Sequence, residues 1–343
     1  MLMKRDDRAR VDHDHLMEPD DFTGHDHSHG TIDPALLTTE KGIQAIKWSL
    51  VVLMLTALLQ GAVVTVTSSV ALLADTIHNF GDAATGIPLW IAFLMARKKA
   101  TKRFNYGLGR VEDLAGIFIL IVMLLSGIVT AYISIARLFE PYHIQHLTAV
   151  GAASLLGFVG NETAAVIRIR TGRAIGSAAL IADGHHARMD SLTSLGVLAG
   201  VVGVWLGFPQ ADPIVGLGIS AVVFKIVWDS GKSIFTRLLD GVDPAVLDEV
   251  QHAAQHVPDV REVTEVRVRW VGHRLSAEIN IAVDSNLSVE AGHRVAHDVR
   301  HELLHHLPYL GNATIHVDPV SASGEHHHRI REHQHGELPT HSH

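Results

Sequence analysis

Between Gly42 and Lys232 the chain reads as six long apolar stretches divided by short polar breaks. About 20 apolar residues suffice to cross a bilayer. The pattern therefore predicts six membrane helices over 46–66, 70–96, 115–135, 146–167, 177–206 and 213–233. Basic residues cluster on alternate sides of these spans. Arg97, Lys98, Lys99, Lys102 and Arg103 follow the second, Arg168, Arg170 and Arg173 follow the fourth, and Arg237 follows the sixth. The positive-inside rule then puts both chain ends in the cytoplasm. After Asp240 the pattern changes. Asp243-Pro244 reads as a helix cap followed by proline at the first helical position. Strict alternation over 263–271 and 275–283 predicts half-buried strands, 288–306 is an amphipathic helix, and 314–317 is a last short strand. The order αββαβ describes a small cytoplasmic α+β domain. The expected organisation is a tail over 1–40, a six-helix transmembrane domain over 41–238, the α+β domain over 239–320, and a second tail over 321–343. Both tails are polar, His-rich and aperiodic, as disordered segments are.

Composition narrows the chemistry. The chain has 26 His and no Cys, so disulfides and thiolate metal sites are excluded and any metal site uses imidazole and carboxylate. A formal charge of −8 gives no basic patch for nucleic acid. Gly231-Lys232-Ser233 ends like a phosphate-binding loop, but Ile226 holds the place of its first glycine, so no nucleotide site is read. Residues 1–40 hold no apolar run of the kind a cleavable signal peptide needs.

Two short motifs share one spacing. His78 and Asp82 in the second span, and His186 and Asp190 in the fifth, are each four residues apart. Such residues lie on one helix face. Ionisable residues inside a bilayer are costly and normally face a polar interior or an ion's path. Two imidazoles and two carboxylates brought together form a tetrahedral set suited to a divalent transition ion. Asp75 and Asp183 lie one turn from the paired His and either line the ion's path or orient the imidazoles. Glu162 and Arg188 would be costly alone and are expected to pair, and Gln60 is expected to bond between helices.

The stretch from Ser69 to Asp82 with its Ala74-Asp75 and His78-Asn79-Phe80-Gly81-Asp82 resembles the second span of the cation diffusion facilitator family. Ala182-Asp183-Gly184-His185-His186-Ala187-Arg188-Met189-Asp190 resembles its fifth, Tyr106-Gly107-Leu108-Gly109-Arg110-Val111-Glu112 the junction before its third, and Ile315-His316-Val317-Asp318-Pro319 the end of its cytoplasmic domain. The resemblance covers about residues 42–319. It implies a metallochaperone-like cytoplasmic domain, a homodimer, and a transport site made of His78, Asp82, His186 and Asp190, with His at the first position associated with zinc. Where many relatives carry His before the third span, this chain has Phe104-Asn105-Tyr106-Gly107-Leu108-Gly109, and Asn280 stands where some relatives have a His.

The expectation is a secondary transporter in a bacterial cytoplasmic membrane, not an enzyme. It would export Zn²⁺ in exchange for protons, with no prosthetic group and no nucleotide. A broader exporter of cobalt, cadmium or iron is the alternative within transport. His316, Asp318, His293 and His297 form a candidate regulatory zinc site on the cytoplasmic domain, with His273 a weaker candidate. From another class, His301-Glu302-Leu303-Leu304-His305 matches the HExxH of zinc proteases. Its helix pattern, with Val295, Val299, Leu303 and Leu307 on one face, is already explained by core packing.

Overall fold

A computed structural model describes residues 34–67, 84–139, 147–208, 210–307, 309–324 and 327. Six helices come first: α1 (Pro34–Thr67), α2 (described over Ala84–Ala96), α3 (Val111–Phe139), α4 (Leu147–Ile175), α5 (Ala178–Trp205) and α6 (Ala211–Leu238). Among the described residues α1, α3, α4 and α6 are long and apolar enough to cross a membrane. α5 has comparable length, and its first half carries Asp183, His185, His186, Arg188 and Asp190. It sits at the centre of the bundle, against α4 on one side and α3 and α6 on the other, with α1 packed on α4.

The outer faces identify the solvent. On α3, Leu114, Phe118, Ile121, Leu125, Val129 and Tyr132 recur every three or four residues and are all exposed. Contiguous apolar surface on this scale belongs against lipid, not water. The opposite face of α3 is buried with Ala115, Ile119, Leu120 and Met123, in one core with Ile43, Phe93, Leu180 and Ile234.

The C-terminal domain follows as α7 (Pro244–Gln255), β1 (Glu262–Val271), β2 (Arg274–Val283), α8 (Val289–His306) and β3 (Leu310–Pro319). The sheet order is β1-β2-β3, antiparallel between β1 and β2 and parallel between β2 and β3. The parallel pair needs a crossover, and α8 supplies it. Asp243 caps α7 by accepting from Ala245 N, and Ser288 caps α8 by accepting from Ala291 N. Val295, Val299, Leu303 and Leu307 of α8 are all buried against the sheet, so the domain has a core of its own.

Several boundaries differ from the sequence reading, and α6 runs on to Leu238, so Arg237 lies in its last turn rather than after the span. α1 starts at Pro34, inside the stretch expected to be tail, because Thr39 is fully buried against the C-terminal domain. α4 runs on to Ile175, so Arg168 is a buried helical residue, not a loop charge. β3 spans Leu310–Pro319 and is longer than 314–317 because it pairs with β2 along nearly its whole length. Gly231, Lys232 and Ser233 lie inside α6 and form no phosphate loop.

Candidate metal transport site and its cytoplasmic junction

Ser177 begins α5, its Oγ accepting from Leu180 N at 3.0 Å. Along the helix, Asp183, His186 and Asp190 are spaced by three and four residues and share a face. All three are buried, at 0%, 2% and 7% exposure. His186 Nε2 and Asp190 Oδ2 stand 3.9 Å apart. His78, Asp82 and Asp75 lie outside the described residues. Among the described residues no three His, Asp or Glu side chains converge to hold an ion.

Close helix approach shapes this region. Gly184 has no side chain toward α4, where a Cβ would come within 2.6 Å of Ile169 Cγ1 and 2.9 Å of Ile169 N. That proximity brings Arg168 beside Asp183. Arg168 Nη1 lies 3.1 Å from Asp183 Oδ2, both side chains at 1% exposure or less. Arg168 Nε also donates to Ser49 Oγ at 2.8 Å, so α1, α4 and α5 meet on one guanidinium. Gly86 of α2 lies against the same pair: a Cβ there would be 3.2 Å from Arg168 Nη2 and 3.8 Å from Asp183 Oδ2. The sequence leaves Asp183 either on the ion's path or orienting the imidazoles, and the structure pairs it with Arg168.

A second charged pair joins α4 and α5. Arg188 donates to Glu162 through Nη2 at 2.6 Å and through Nε at 3.3 Å, and Ser191 Oγ donates to the same carboxylate at 3.1 Å. Gln60 Nε2 donates across helices to Ala153 O at 3.1 Å. His185 is half-buried on the neighbouring face of α5.

Sequence reasoning missed the junction between the two domains. Glu112 and Asp113 open α3, where acidic groups suit the helix dipole. Glu112 is buried and its carboxylate is used fully. Oε1 accepts from Ser177 Oγ at 2.5 Å, while Oε2 accepts from His273 N at 3.1 Å and bonds His273 Nδ1 at 2.6 Å. His273 Nε2 lies 2.9 Å from Thr39 Oγ1, and the ring packs on Phe93 with centroids 5.2 Å apart. His273 is thus engaged by the membrane domain on both ring nitrogens. Gly272 makes the turn between β1 and β2 that allows this: it has φ +64°, and a Cβ would stand 2.5 Å from Gly109 O and 2.9 Å from Glu112 Oε2. Nearby, Arg237 donates to Gly176 O and lies over the Trp270 ring at 4.2 Å, and Arg110 pairs with Asp240.

On the C-terminal domain, His316 Nε2 and Asp318 Oδ1 are 2.9 Å apart. Asp318 and His293 line one cleft of about 370 Å³ together with Asp284. Hydrogen bonds from Asn286 N–H and the Asn286 side chain hold the Asp284 carboxyl below the usual carboxylate range. His297 is not in that lining; its Nδ1 lies 3.6 Å from Asp298 Oδ1. Asn280 stands between Glu265 and His316 across the sheet and donates to Glu265 Oε2 at 3.0 Å. His301 and His305 are exposed on α8, while Glu302 turns to His306, 3.4 Å away.

A profile of the cation efflux transmembrane domain matches residues 46–239, and one of the cytoplasmic domain of cation efflux proteins matches residues 242–320. A probable cation efflux system protein of Mycobacterium tuberculosis is 51% identical over 300 residues, 87% of this chain and 90% of its own length. The magnetosome protein MamB of Paramagnetospirillum magneticum is 27% identical over 282 residues, 82% of this chain and 95% of its own. A solved C-terminal domain of MamM is 28% identical, spans 22% of this chain and 96% of its own, and superposes with a TM-score of 0.22. Long apolar helices with lipid-facing sides and two family profiles in chain order agree on an integral membrane protein that moves metal cations. The chain belongs to the cation diffusion facilitator family of cation efflux proteins.

Proposed function

We propose that this transporter exports Zn²⁺ from the cytoplasm in exchange for protons, as a homodimer in a bacterial cytoplasmic membrane with both chain ends in the cytoplasm. Residues 41–238 carry the ion and residues 239–320 form the cytoplasmic domain. The observation that carries this reading is the burial of His186 and Asp190 on one face of α5, 3.9 Å apart. His78 and Asp82 repeat the same pair on the second span. Gly86, four residues after Asp82, packs on the Arg168–Asp183 pair, which supports convergence of the two segments.

The charges explain exchange. Zn²⁺ with two carboxylates and two neutral imidazoles is a neutral cluster. Two protonated imidazoles with the same two carboxylates are also neutral. The deprotonated, metal-free set would hold two uncompensated negative charges, which a low-dielectric passage disfavours. Ion and protons compete for the same nitrogens, so loading expels protons and protonation expels the ion. The Arg168–Asp183 pair is neutral by itself and leaves this balance intact.

Imidazole and carboxylate suit Zn²⁺, with Cd²⁺ and Co²⁺ as close competitors, while Mg²⁺ and Ca²⁺ prefer oxygen shells. The test is flux in proteoliposomes with internal pH followed. Asp190→Ala is expected to abolish Zn²⁺ flux and its coupled pH change. Flux retained at the wild-type rate in that variant rejects the site, and Zn²⁺ flux with no proton movement rejects the exchange.

A further inference from the structure

α8 carries His293, His297, His301 and His305 at four-residue intervals, and the last two converge. Nε2 of His301 and Nε2 of His305 are 3.1 Å apart. Their rings meet edge to face, with centroids at 4.5 Å. Both side chains are exposed. At zinc–nitrogen lengths of about 2.0–2.1 Å, a tetrahedral ion needs its two nitrogens about 3.3 Å apart and a tetragonal one about 2.9 Å. The observed separation falls between.

Spacing alone does not produce this. His252 and His256 in α7 are also four apart, but His256 Nδ1 bonds His252 O at 2.7 Å and the pair offers no facing nitrogens. His306 Nδ1 similarly bonds Glu302 O at 3.1 Å. Only at 301 and 305, among these neighbours, do two ring nitrogens stand within 3.1 Å of each other, close enough to share one ion. Glu302, the residue that serves as base in an HExxH protease, faces His306 instead, so the spacing here has two imidazoles together without that base beside them.

We propose that His301 and His305 form a two-imidazole chelate for a borderline divalent ion (Zn²⁺, Ni²⁺ or Cu²⁺) on the exposed face of α8. The ion takes the place of the single proton that the two facing nitrogens can otherwise share, and that proton moves to Nδ1 of the same ring. The other coordination positions stay open to water, so the ion exchanges readily. This site is separate from the one in α5 and does not depend on the transport reading.

The test is histidine carbethoxylation by diethyl pyrocarbonate on the full-length protein in detergent, read peptide by peptide by mass spectrometry while ZnCl₂ is titrated. His301 and His305 are expected to become protected together, at Zn²⁺ concentrations that leave His252 and His256 reactive. In His301→Ala, protection of His305 should need about 100-fold more Zn²⁺, because a chelate has become a single ligand. Both positions are exposed, so the fold is not at stake. Unprotected His301 and His305 at about 1 mM Zn²⁺, a concentration marking only weak affinity, would overturn the proposal. Protection of His305 unchanged in His301→Ala, or protection of His252 and His256 in step with the pair, would overturn it equally.

Discussion

Glu112 gives the sharpest test of how the two domains are joined. Its carboxylate takes two donated hydrogen bonds, from Ser177 Oγ and His273 N, and bonds His273 Nδ1, all in a buried setting. Glu112→Ala removes the acceptor and leaves these groups facing an apolar gap. A buried donor without an acceptor costs about 1–3 kcal/mol, and breaking a buried ionisable pair costs about 3–5 kcal/mol in total. We expect a loss at the upper scale, about 3–5 kcal/mol. Glu112→Gln keeps one carbonyl oxygen but turns an amide toward a donor, so its loss should be nearer 1–3 kcal/mol, on the order of one orphaned group. The assay is thermal unfolding of the detergent-purified protein, with limited proteolysis reporting release of the C-terminal domain. A double-mutant cycle with His273→Ala isolates the contact and should give a coupling of about 0.5–3 kcal/mol. Glu112→Ala within about 0.5 kcal/mol of wild type, as for an ordinary surface change, would refute the reasoning. So would strict additivity of the two substitutions.

Arg168→Ala leaves Asp183 as an uncompensated buried carboxylate and should cost about 3–5 kcal/mol in the same assay, while Arg168→Ala with Asp183→Ala should recover part of that loss. Gly272→Ala forces a side chain into a left-handed conformation against Gly109 O, and should lower stability by about 1–3 kcal/mol and speed proteolytic cutting between the domains. Leu303→Ala opens a cavity in the core under α8 and should cost about 2–5 kcal/mol, read as faster amide exchange in β2 and α8 with α3 unaffected.

Legibility in the sequence followed the range of the signal. Asp243-Pro244 and Ser288 cap their helices as local chemistry dictates, and the stripe Val295, Val299, Leu303, Leu307 is buried as its spacing predicts. Arg188 and Glu162 pair because two lone charges between apolar helices have few other solutions. Arg168 reads as a loop charge in the sequence for a physical reason. A basic residue near the end of an apolar run looks the same whether it follows the helix or continues it, and only Asp183 on the next helix decides. His273 is a longer-range case: its partners Glu112 and Thr39 lie 161 and 234 residues away, and no periodicity records that. The local hint is the glycine at 272, a residue suited to the positive φ of a tight turn that presents the following side chain. His301 and His305 match a known spacing, yet the convergence of their Nε2 atoms depends on rotamers that sequence does not state.

Ser177 is an anchor for the helix that bears His186 and Asp190. A single oxygen holds the first turn of α5 and also reaches Glu112 at 2.5 Å. Sliding α5 along its axis by one residue's rise, about 1.5 Å, would pull that bond beyond contact. Pivoting about the anchored end stretches it far less. His186 lies nine residues on, about 14 Å from the pivot, and Trp205 about 42 Å. Were α5 to rock about that end, His186 would move by about a third of the sweep at the far tip and Asp190, about 20 Å from the pivot, by nearly half.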